Sequence, residues 1–182
     1  MNIFYLDEDP KICAHLHCDK HVVKMCTEYA QLLSTAHRLC DGTEWIETTD
    51  KGRKIKRWRL DDENMENTLY KACHVNHPSA IWTRASGKNY LWLYRLFSET
   101  CHEYTHRYNK RHASWDLLWK QLATPPLNIS WRVDFNEPTP AMKKYPQCIV
   151  AGDSIQSYKN YYQEAKRSFA KWTNRPTPEF ML

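Results

Sequence analysis

The sequence predicts a mainly α-helical fold: a single-domain helical bundle with a short N-terminal extended arm and a small basic β-hairpin. Apolar residues recur at three- and four-residue steps in three long stretches, which is the pattern of helices that bury one face. Residues 43–60 instead place β-branched and aromatic residues on both sides of a turn. The chain has 182 residues, which is the size of one domain and enough to bury a core without disulfides.

The first part of the chain is predicted to hold the arm, a long helix and the hairpin. Residues 1–10 alternate apolar positions and then become acidic, which predicts a docked extended arm. A helical pattern runs over 11–39, and Asp41-Gly42 is expected to end it with a left-handed glycine. Asp50-Lys51-Gly52 has turn chemistry within 43–60, so a projecting basic hairpin is expected there. A solvated loop is the alternative, since charge runs are usually hydrated.

The rest of the chain is predicted to alternate helices with loops. A loop at His74 to Pro78 is expected to precede a helix with Ser79 as its N-cap. The second long helix falls in 86–112, and its aromatic stripe is expected to face the core. A short helix near 114–122 is followed by a long connection over 123–150 that wraps the surface. The last helix is predicted at 153–172.

Composition excludes several classes of protein. No apolar run approaches the length of a membrane span, and no basic start precedes an apolar block, which predicts a cytoplasmic protein. Seven scattered cysteines with no Cys-x-x-Cys pair indicate reduced, mostly buried thiols. No glycine-rich phosphate loop and no serine elbow is present, which argues against nucleoside triphosphate chemistry and serine acyl transfer. No cofactor is expected.

The charge and the aromatic content favour a polyanionic partner. The formal net charge is +5 without histidine, and the chain has nine histidines, eight tryptophans and eleven tyrosines. Cationic side chains interleaved with flat rings suit DNA or a nucleotide, although a charge of this size is also ordinary for solubility.

One row of polar side chains on the first long helix is the candidate site. Steps of three and four residues give the row His17, His21, Lys24, Glu28, Gln31 and Thr35. If the row faces solvent, it carries no function. If another segment covers it, His21, Lys24 and Glu28 become partly desolvated and are candidates for acid, base or nucleophile.

A metal site is the first alternative for the histidines. The pairs His17 with His21 and His102 with His106 have His-x-x-x-His spacing, which allows chelation from one helix face. No His-Glu-x-x-His is present, and such pairs arise by chance among nine histidines. We therefore assign no metal.

The sequence resembles a family of proteins encoded by tailed phages, many of them marine. The resemblance spans nearly the whole chain and includes "DEDP" (7–10), "CDKHVVKM" (18–25), "HVNHPSAIW" (74–82), "EPTPAMKKY" (137–145) and "DSIQSYKNYY" (153–162). It implies a phage-encoded protein that acts in the cytoplasm of the infected cell, and it implies no particular activity.

A shorter stretch resembles the pyrimidine-dimer DNA glycosylases of the phage endonuclease V type. His21 and Glu28 have the seven-residue spacing of that family's histidine and catalytic glutamate, and Asn76, His77 and Pro78 match an Asn-His-Pro of some bacterial relatives. The resemblance implies an amine that attacks the sugar C1′ of a damaged or modified pyrimidine nucleotide, with Glu28 stabilising the cation and handling protons.

The amine in that family is the N-terminus left after methionine removal. Here residue 2 is Asn2, before which methionine is usually retained. The nucleophile is therefore the amine of Met1, or else Lys20 or Lys24 acting as in lysine-based glycosylases.

These observations give two functional hypotheses. The first is a DNA glycosylase or abasic-site lyase. Its expected nucleotide contacts are Arg53, Lys56 and Arg57 of the hairpin, Arg84 and Arg95 on phosphates, Trp82 and Tyr90 as stacking rings, and His17, Asn76 and His77. The second is a non-catalytic protein that sequesters a nucleotide signal or a host factor in a pocket of His21, Lys24, Arg84 and tyrosines. The sequence predicts no oligomeric state.

Overall fold

The computed structural model describes residues 1–182 and confirms a mainly α-helical fold. The helices are α1 (Pro10–Leu16), α2 (Asp19–Asp41), α3 (Glu63–Thr68), α4 (Pro78–Ala85), α5 (Gly87–Tyr108), α6 (Ala113–Leu122) and α7 (Ser154–Ala165). The strands are β1 (Thr43–Thr48) and β2 (Lys54–Arg59), and short 3-10 turns lie at Pro146–Cys148 and Glu179–Met181.

Helix α2 is the centre of the fold. It packs against α4, α5 and α6, and α5 also packs against α1. One cluster of buried apolar side chains runs through these contacts and includes Ile3 of the arm, Met25 of α2, Phe97 of α5 and Tyr162 of α7. The arm is therefore docked into the core, as its alternating pattern predicts. None of the helices combines the length and the apolar character that crossing a membrane requires.

The first predicted helix is two helices, which corrects the sequence expectation. His17 and Cys18 have extended backbone angles, and Cys18 is the N-cap residue of α2. Partners distant in sequence satisfy the backbone at this break: the Trp172 indole donates to the Leu16 carbonyl, and Arg107 donates to the carbonyl of His15. Because these partners are about 90 to 155 residues away, helical periodicity does not reveal the break.

The last helix is shorter than predicted, since α7 ends at Ala165 rather than near residue 172. The chain then crosses α1 and α2. Asp19 accepts the backbone N–H of Thr173 at 3.0 Å, and the backbone N–H of Asp19 donates to Lys171. The apolar residues after 165 pack through this crossing, so their periodicity continues although the helix does not.

Two other predicted termini are corrected by the structure. His77, not Ser79, is the N-cap of α4, and its Nδ1 accepts the N–H of Ser79 at 3.2 Å. Gly42 does follow α2, but its φ of −92° is extended rather than left-handed. A Cβ at Gly42 would lie 2.4 Å from the Arg38 carbonyl oxygen, so close backbone approach explains this glycine.

The hairpin and the long loop form where they are predicted. Strands β1 and β2 pair antiparallel from Thr43 opposite Arg59 to Thr48 opposite Lys54, and Gly52 in the turn has φ +73°. Residues 123–145 contain no helix or strand and cross the surface from α6 towards the N-terminal arm.

Candidate active site

The N-terminal amine and Glu28 meet at the edge of the core. The amine nitrogen of Met1 lies 3.8 Å from Oε2 of Glu28, and Nζ of Lys24 lies 3.1 Å from Oε1 of the same carboxylate. Glu28 is 14% exposed and Lys24 is 65% exposed. One carboxylate thus bridges a sheltered α-amine and a solvated lysine amine.

Asn2 fixes the position of this amine. Its Oδ1 accepts the Tyr158 hydroxyl at 2.5 Å and the backbone N–H of Ile3 at 2.9 Å, while its Nδ2 donates to the Ala141 carbonyl. Because Asn2 is buried and bonded on both sides, the residue before it has little freedom to move away from Glu28.

Burial of residues 3–6 and one stacked ring pair hold the rest of the arm in place. Residues 3–6 are all buried, and the ring of Phe4 lies parallel to the imidazole of His21 with a centroid distance of 3.9 Å. These contacts bring the N-terminal arm against residues that are distant from it in the sequence.

The loop at 69–77 brings Cys73 and His77 near Glu28 and the N-terminal amine. The Cys73 N–H donates to the Thr35 hydroxyl at 3.2 Å, which attaches the loop to α2. Burial lowers the pKa of His77; the positive charges of the N-terminal amine and of His74 lower that pKa further, and Glu28 opposes them. Burial raises the pKa of the Cys73 thiol, and the amine counteracts that effect. The amine, Glu28, Cys73 and His77 therefore share one electrostatic environment.

The polar row predicted on the first long helix is interrupted at His17, which precedes α2, and its first two members are buried. His17 donates from Nδ1 to the Cys13 carbonyl at 2.6 Å, and its Nε2 accepts from the Tyr29 hydroxyl at 2.7 Å. His21 Nδ1 accepts from the Tyr162 hydroxyl at 2.5 Å. Burial lowers the pKa of His17 to about 4 and that of His21 to about 2, so both are neutral core residues at pH 7. Both rings are buried in the core, whereas His17 is expected to contact a nucleotide and His21 to take part in catalysis.

The structure brings only some of the predicted catalytic residues together. Met1, Lys24 and Glu28 form one group. Lys20 lies apart, with its Nζ 4.4 Å from the centroid of the Phe169 ring. His21 supports the arm through Phe4 and has no hydrogen bond to the group around Glu28.

Two predicted stacking rings are held inside the protein. Tyr90 is fully buried; its hydroxyl donates to the Leu122 carbonyl and accepts from His37. Trp82 is nearly buried, and its indole N–H donates to the Asn136 carbonyl. These positions correct the expectation that either ring offers a free face to a base.

The predicted cations differ in whether they are neutralised by a carboxylate. Lys56 pairs with Glu44 at 2.8 Å, and Arg57 pairs with Glu47 at 2.6 Å. By contrast, Arg53, Arg84 and Arg95 have no carboxylate within 4.0 Å. Arg53 and Arg95 are exposed, and Arg84 is half-buried. Asn76 is exposed on the loop that precedes His77.

The pocket imagined for a sequestering protein is not assembled. His21 faces Phe4 and Tyr162. Burial lowers the pKa of Arg84, and the ionisable group that acts on that pKa is the Cys40 thiol, at the far end of α2. Cys40 follows Lys24 by 16 residues, which is about 24 Å along a helix. One small ligand does not reach both.

Several residues around the site are not found by sequence reasoning. Asn2 and Tyr158 position the amine, yet nothing in the sequence predicts that they meet. Lys143 and Lys144 are exposed and unpaired just after Ala141, the residue that binds Asn2. Their adjacent charges are the one signal that could have been noticed.

Comparison of the chain with protein-family models, curated proteins and solved structures gives no match.

Proposed function

We propose that this protein is a DNA glycosylase and abasic-site lyase whose nucleophile is the amine of Met1 and whose carboxylate is Glu28. The observation that carries the proposal is the 3.8 Å approach of the amine to a carboxylate that is only 14% exposed. The bonds of the buried Asn2 to Tyr158 and Ala141 hold the amine beside this carboxylate.

The chemistry uses each of these groups. The neutral amine attacks C1′ of the nucleotide, and the glycosidic bond breaks with its electron pair leaving on the base, which is then protonated. The sugar ring opens to an iminium, a base removes a 2′ proton, and the 3′ phosphate leaves by β-elimination. Water then hydrolyses the imine and restores the amine.

Glu28 is placed for two of these steps. Its carboxylate is close enough to stabilise the cation that develops at C1′ and to shuttle the proton that the amine loses. His77 is close enough to feel the charge of the amine, and its lowered pKa keeps it neutral, so it is suited to hydrogen bonding rather than to charge stabilisation.

Met1 is favoured over the lysines as the nucleophile. At neutral pH the uncharged fraction of an ordinary α-amino group is about a hundred times that of an ordinary lysine side chain. Lys24 touches the same carboxylate but is largely solvated. Lys20 lies over the Phe169 ring, away from Glu28.

A route for DNA leads from the hairpin to the site. Lys71 lies near enough to Glu47 of β1 to affect its pKa, and the same loop continues to Cys73 and His77 beside the amine. Lys71 lies on that loop, and Lys143 and Lys144 follow Ala141, whose carbonyl binds Asn2; all three lysines are exposed and have no carboxylate within 4.0 Å. Such cations attract phosphates without reading sequence.

The sequestering alternative has less support. A cavity of about 660 Å³ lies beside the C-terminal end of α2, but its lining includes Asp41, Asp61 and Asp62 with Lys120 as its one lysine. Such a lining repels a phosphorylated nucleotide.

The test is borohydride trapping of the imine. The protein is incubated with duplex oligonucleotides that contain an abasic site or a thymine dimer, then reduced, and a covalent adduct is sought. We expect a trapped adduct whose modified peptide begins with Met1. Glu28→Gln is expected to reduce single-turnover cleavage by roughly 10²- to 10⁴-fold while retaining DNA affinity.

Three variants locate the amine. One glycine added before Met1, with intact mass confirming the extension, is expected to abolish trapping because it moves the amine by about one residue length, roughly 3.8 Å. Lys24→Ala is expected to retain trapping, and Lys20→Ala is the matched control. Loss of the adduct in Lys24→Ala alone would transfer the role to that lysine. No adduct and no base release on any substrate would refute the proposal and favour a binding protein.

A further inference from the structure

A second concave surface lies away from the amine and Glu28. It is a cavity of about 500 Å³ lined by Tyr5, Glu8, Trp92, Phe135, Asn136 and Glu137. These residues come from the N-terminal arm, from α5 and from the long loop, so three segments build one site. We call it the aromatic cavity.

Three rings form its wall. Tyr5 and Trp92 lie 5.0 Å apart between ring centroids at 63°, Trp92 and Phe135 lie 5.9 Å apart at 40°, and Tyr5 and Phe135 lie 6.4 Å apart. Rings inclined in this way present their π-faces and edges to a common space, and π-faces attract cations.

The wall is held rigidly from behind. Trp82 contacts both Trp92 and Phe135 edge to face, with centroid distances of 6.2 and 6.1 Å. The Trp92 indole N–H donates to the Glu8 carbonyl at 2.8 Å, which joins the wall to the rim. A preorganised wall loses little side-chain entropy when a ligand binds.

The rim is negatively charged and has no cation of its own. Glu8 and Glu137 both line the cavity, and neither has a lysine, arginine or histidine within 4.0 Å, unlike Glu103, which pairs with Arg107 and Arg175. The Glu137 side chain is oriented by the N–H of Ser154, which donates to its Oε2 at 2.8 Å. Burial raises the pKa of Tyr5, and the nearby charges of Glu137 and Glu8 raise it further.

We propose that the aromatic cavity binds an alkylated ammonium group, with its methyl groups on Trp92 and Phe135 and its charge towards Glu8 and Glu137. Alkyl substituents on the cation suit this wall, because a weakly hydrated cation loses less on leaving water and gains contact with the rings. The group is carried either by a free amine such as choline or by a methylated lysine side chain. This site is independent of the Met1 amine.

The experiment measures binding to the full chain by the indole N–H signal of Trp92 and by tryptophan fluorescence. The probes are choline, its neutral isostere 3,3-dimethylbutan-1-ol, and a short peptide with trimethyllysine. We expect choline to give a saturable shift and the neutral alcohol to bind at least about fivefold more weakly, as one to two cation–π contacts require.

Substitutions separate the ring effect from the apolar effect. Phe135→Leu keeps an apolar side chain at a residue that is 37% exposed, so the fold is expected to persist while choline affinity falls about fivefold. Trp119→Leu removes an exposed ring on α6 and is the matched control, with no expected change. Glu137→Gln is expected to weaken choline and to leave the alcohol unaffected.

The outcomes are distinct. Tighter binding of the peptide than of choline assigns the group to a protein side chain, and equal or weaker binding assigns it to a free amine. Equal affinity for choline and the alcohol, no saturable shift, or an unchanged Phe135→Leu variant would overturn the proposal.

Discussion

Acid should unfold this protein through three buried histidines. His17, His21 and His37 are almost completely buried, and burial lowers their pKa values from 6.5 to about 4, about 2 and about 4. In the unfolded chain each becomes protonated near pH 6.5. The folded state therefore binds fewer protons than the unfolded state below that pH, and stability falls as pH decreases from 6.5 towards 4.

The magnitude follows from these shifts. Each histidine contributes about 2 to 3 kcal/mol at neutral pH that is lost by pH 4.5, so the three together contribute about 8 kcal/mol. That sum is comparable with the whole stability of an ordinary domain, about 5 to 15 kcal/mol. Burial opposes ionisation of Glu66 and Glu103, but hydrogen bonds from the Leu60 N–H and Arg38 lower the pKa of Glu66, and those from Arg175 and Arg107 lower the pKa of Glu103. Protonation of these two carboxylates reduces stability further only near and below the ordinary pKa of a glutamate.

The assay is urea unfolding at a series of pH values between 7 and 4.5, followed by circular dichroism and tryptophan fluorescence. The slope of the unfolding free energy against pH gives the protons taken up on unfolding. We expect nearly three or more near pH 5, since the pKa values of His15, His77 and His112 are also lowered by burial. A slope of one proton or fewer would refute the assignment of neutral, buried imidazoles.

Three further predictions concern the hairpin, a buried arginine and two glycines. Arg53→Ala should reduce the slope of log K for DNA binding against log salt by about one phosphate contact. Arg57→Ala should change that slope less, because Arg57 is already paired with a carboxylate. Equal effects of the two substitutions in salt-titrated binding would contradict the proposed route. Arg38→Met should destabilise by about 3 to 5 kcal/mol in urea unfolding, because this buried guanidinium donates five hydrogen bonds, and a loss below about 1 kcal/mol would show that water replaces it. Gly42→Ala should cost more than Gly52→Ala, about 1 to 3 kcal/mol against about 1 kcal/mol, because a Cβ at Gly42 meets backbone whereas a Cβ at Gly52 meets open space at a positive φ; the reverse order in the same assay would be inconsistent with the close approach.

The helical periodicity was a reliable guide to which faces are buried and a poor guide to where helices end. Tyr90, Leu93 and Phe97 line the core as their spacing predicts. The break at His17, in contrast, depends on Trp172 and Arg107, which hydrogen-bond the free backbone there. The hydrophobic pattern of a segment predicts which of its positions are buried, but it does not predict hydrogen bonds to residues far away in the sequence.

The candidate site shows the same division. Glu28 and Lys24 are one helical turn apart on α2, so their proximity is evident from spacing alone. Spacing also places His17 and His21 in the same row, yet His17 precedes α2. The Tyr29 hydroxyl contacts the His17 ring, and Phe4 and Tyr162 cover the His21 ring. Desolvation then makes these histidines neutral hydrogen-bonding residues of the core.

The sequence by itself determined the helical class, the hairpin at its Asp-Lys-Gly turn and the charge that favours an anionic partner, because these depend on neighbours a few residues away. Only the tertiary structure decided that the Met1 amine meets Glu28 and that Tyr5, Trp92 and Phe135 share a cavity with unpaired carboxylates. Both groupings join segments separated by tens of residues or more. Their geometry is set by the burial of the arm and the path of the long loop, which local patterns do not encode.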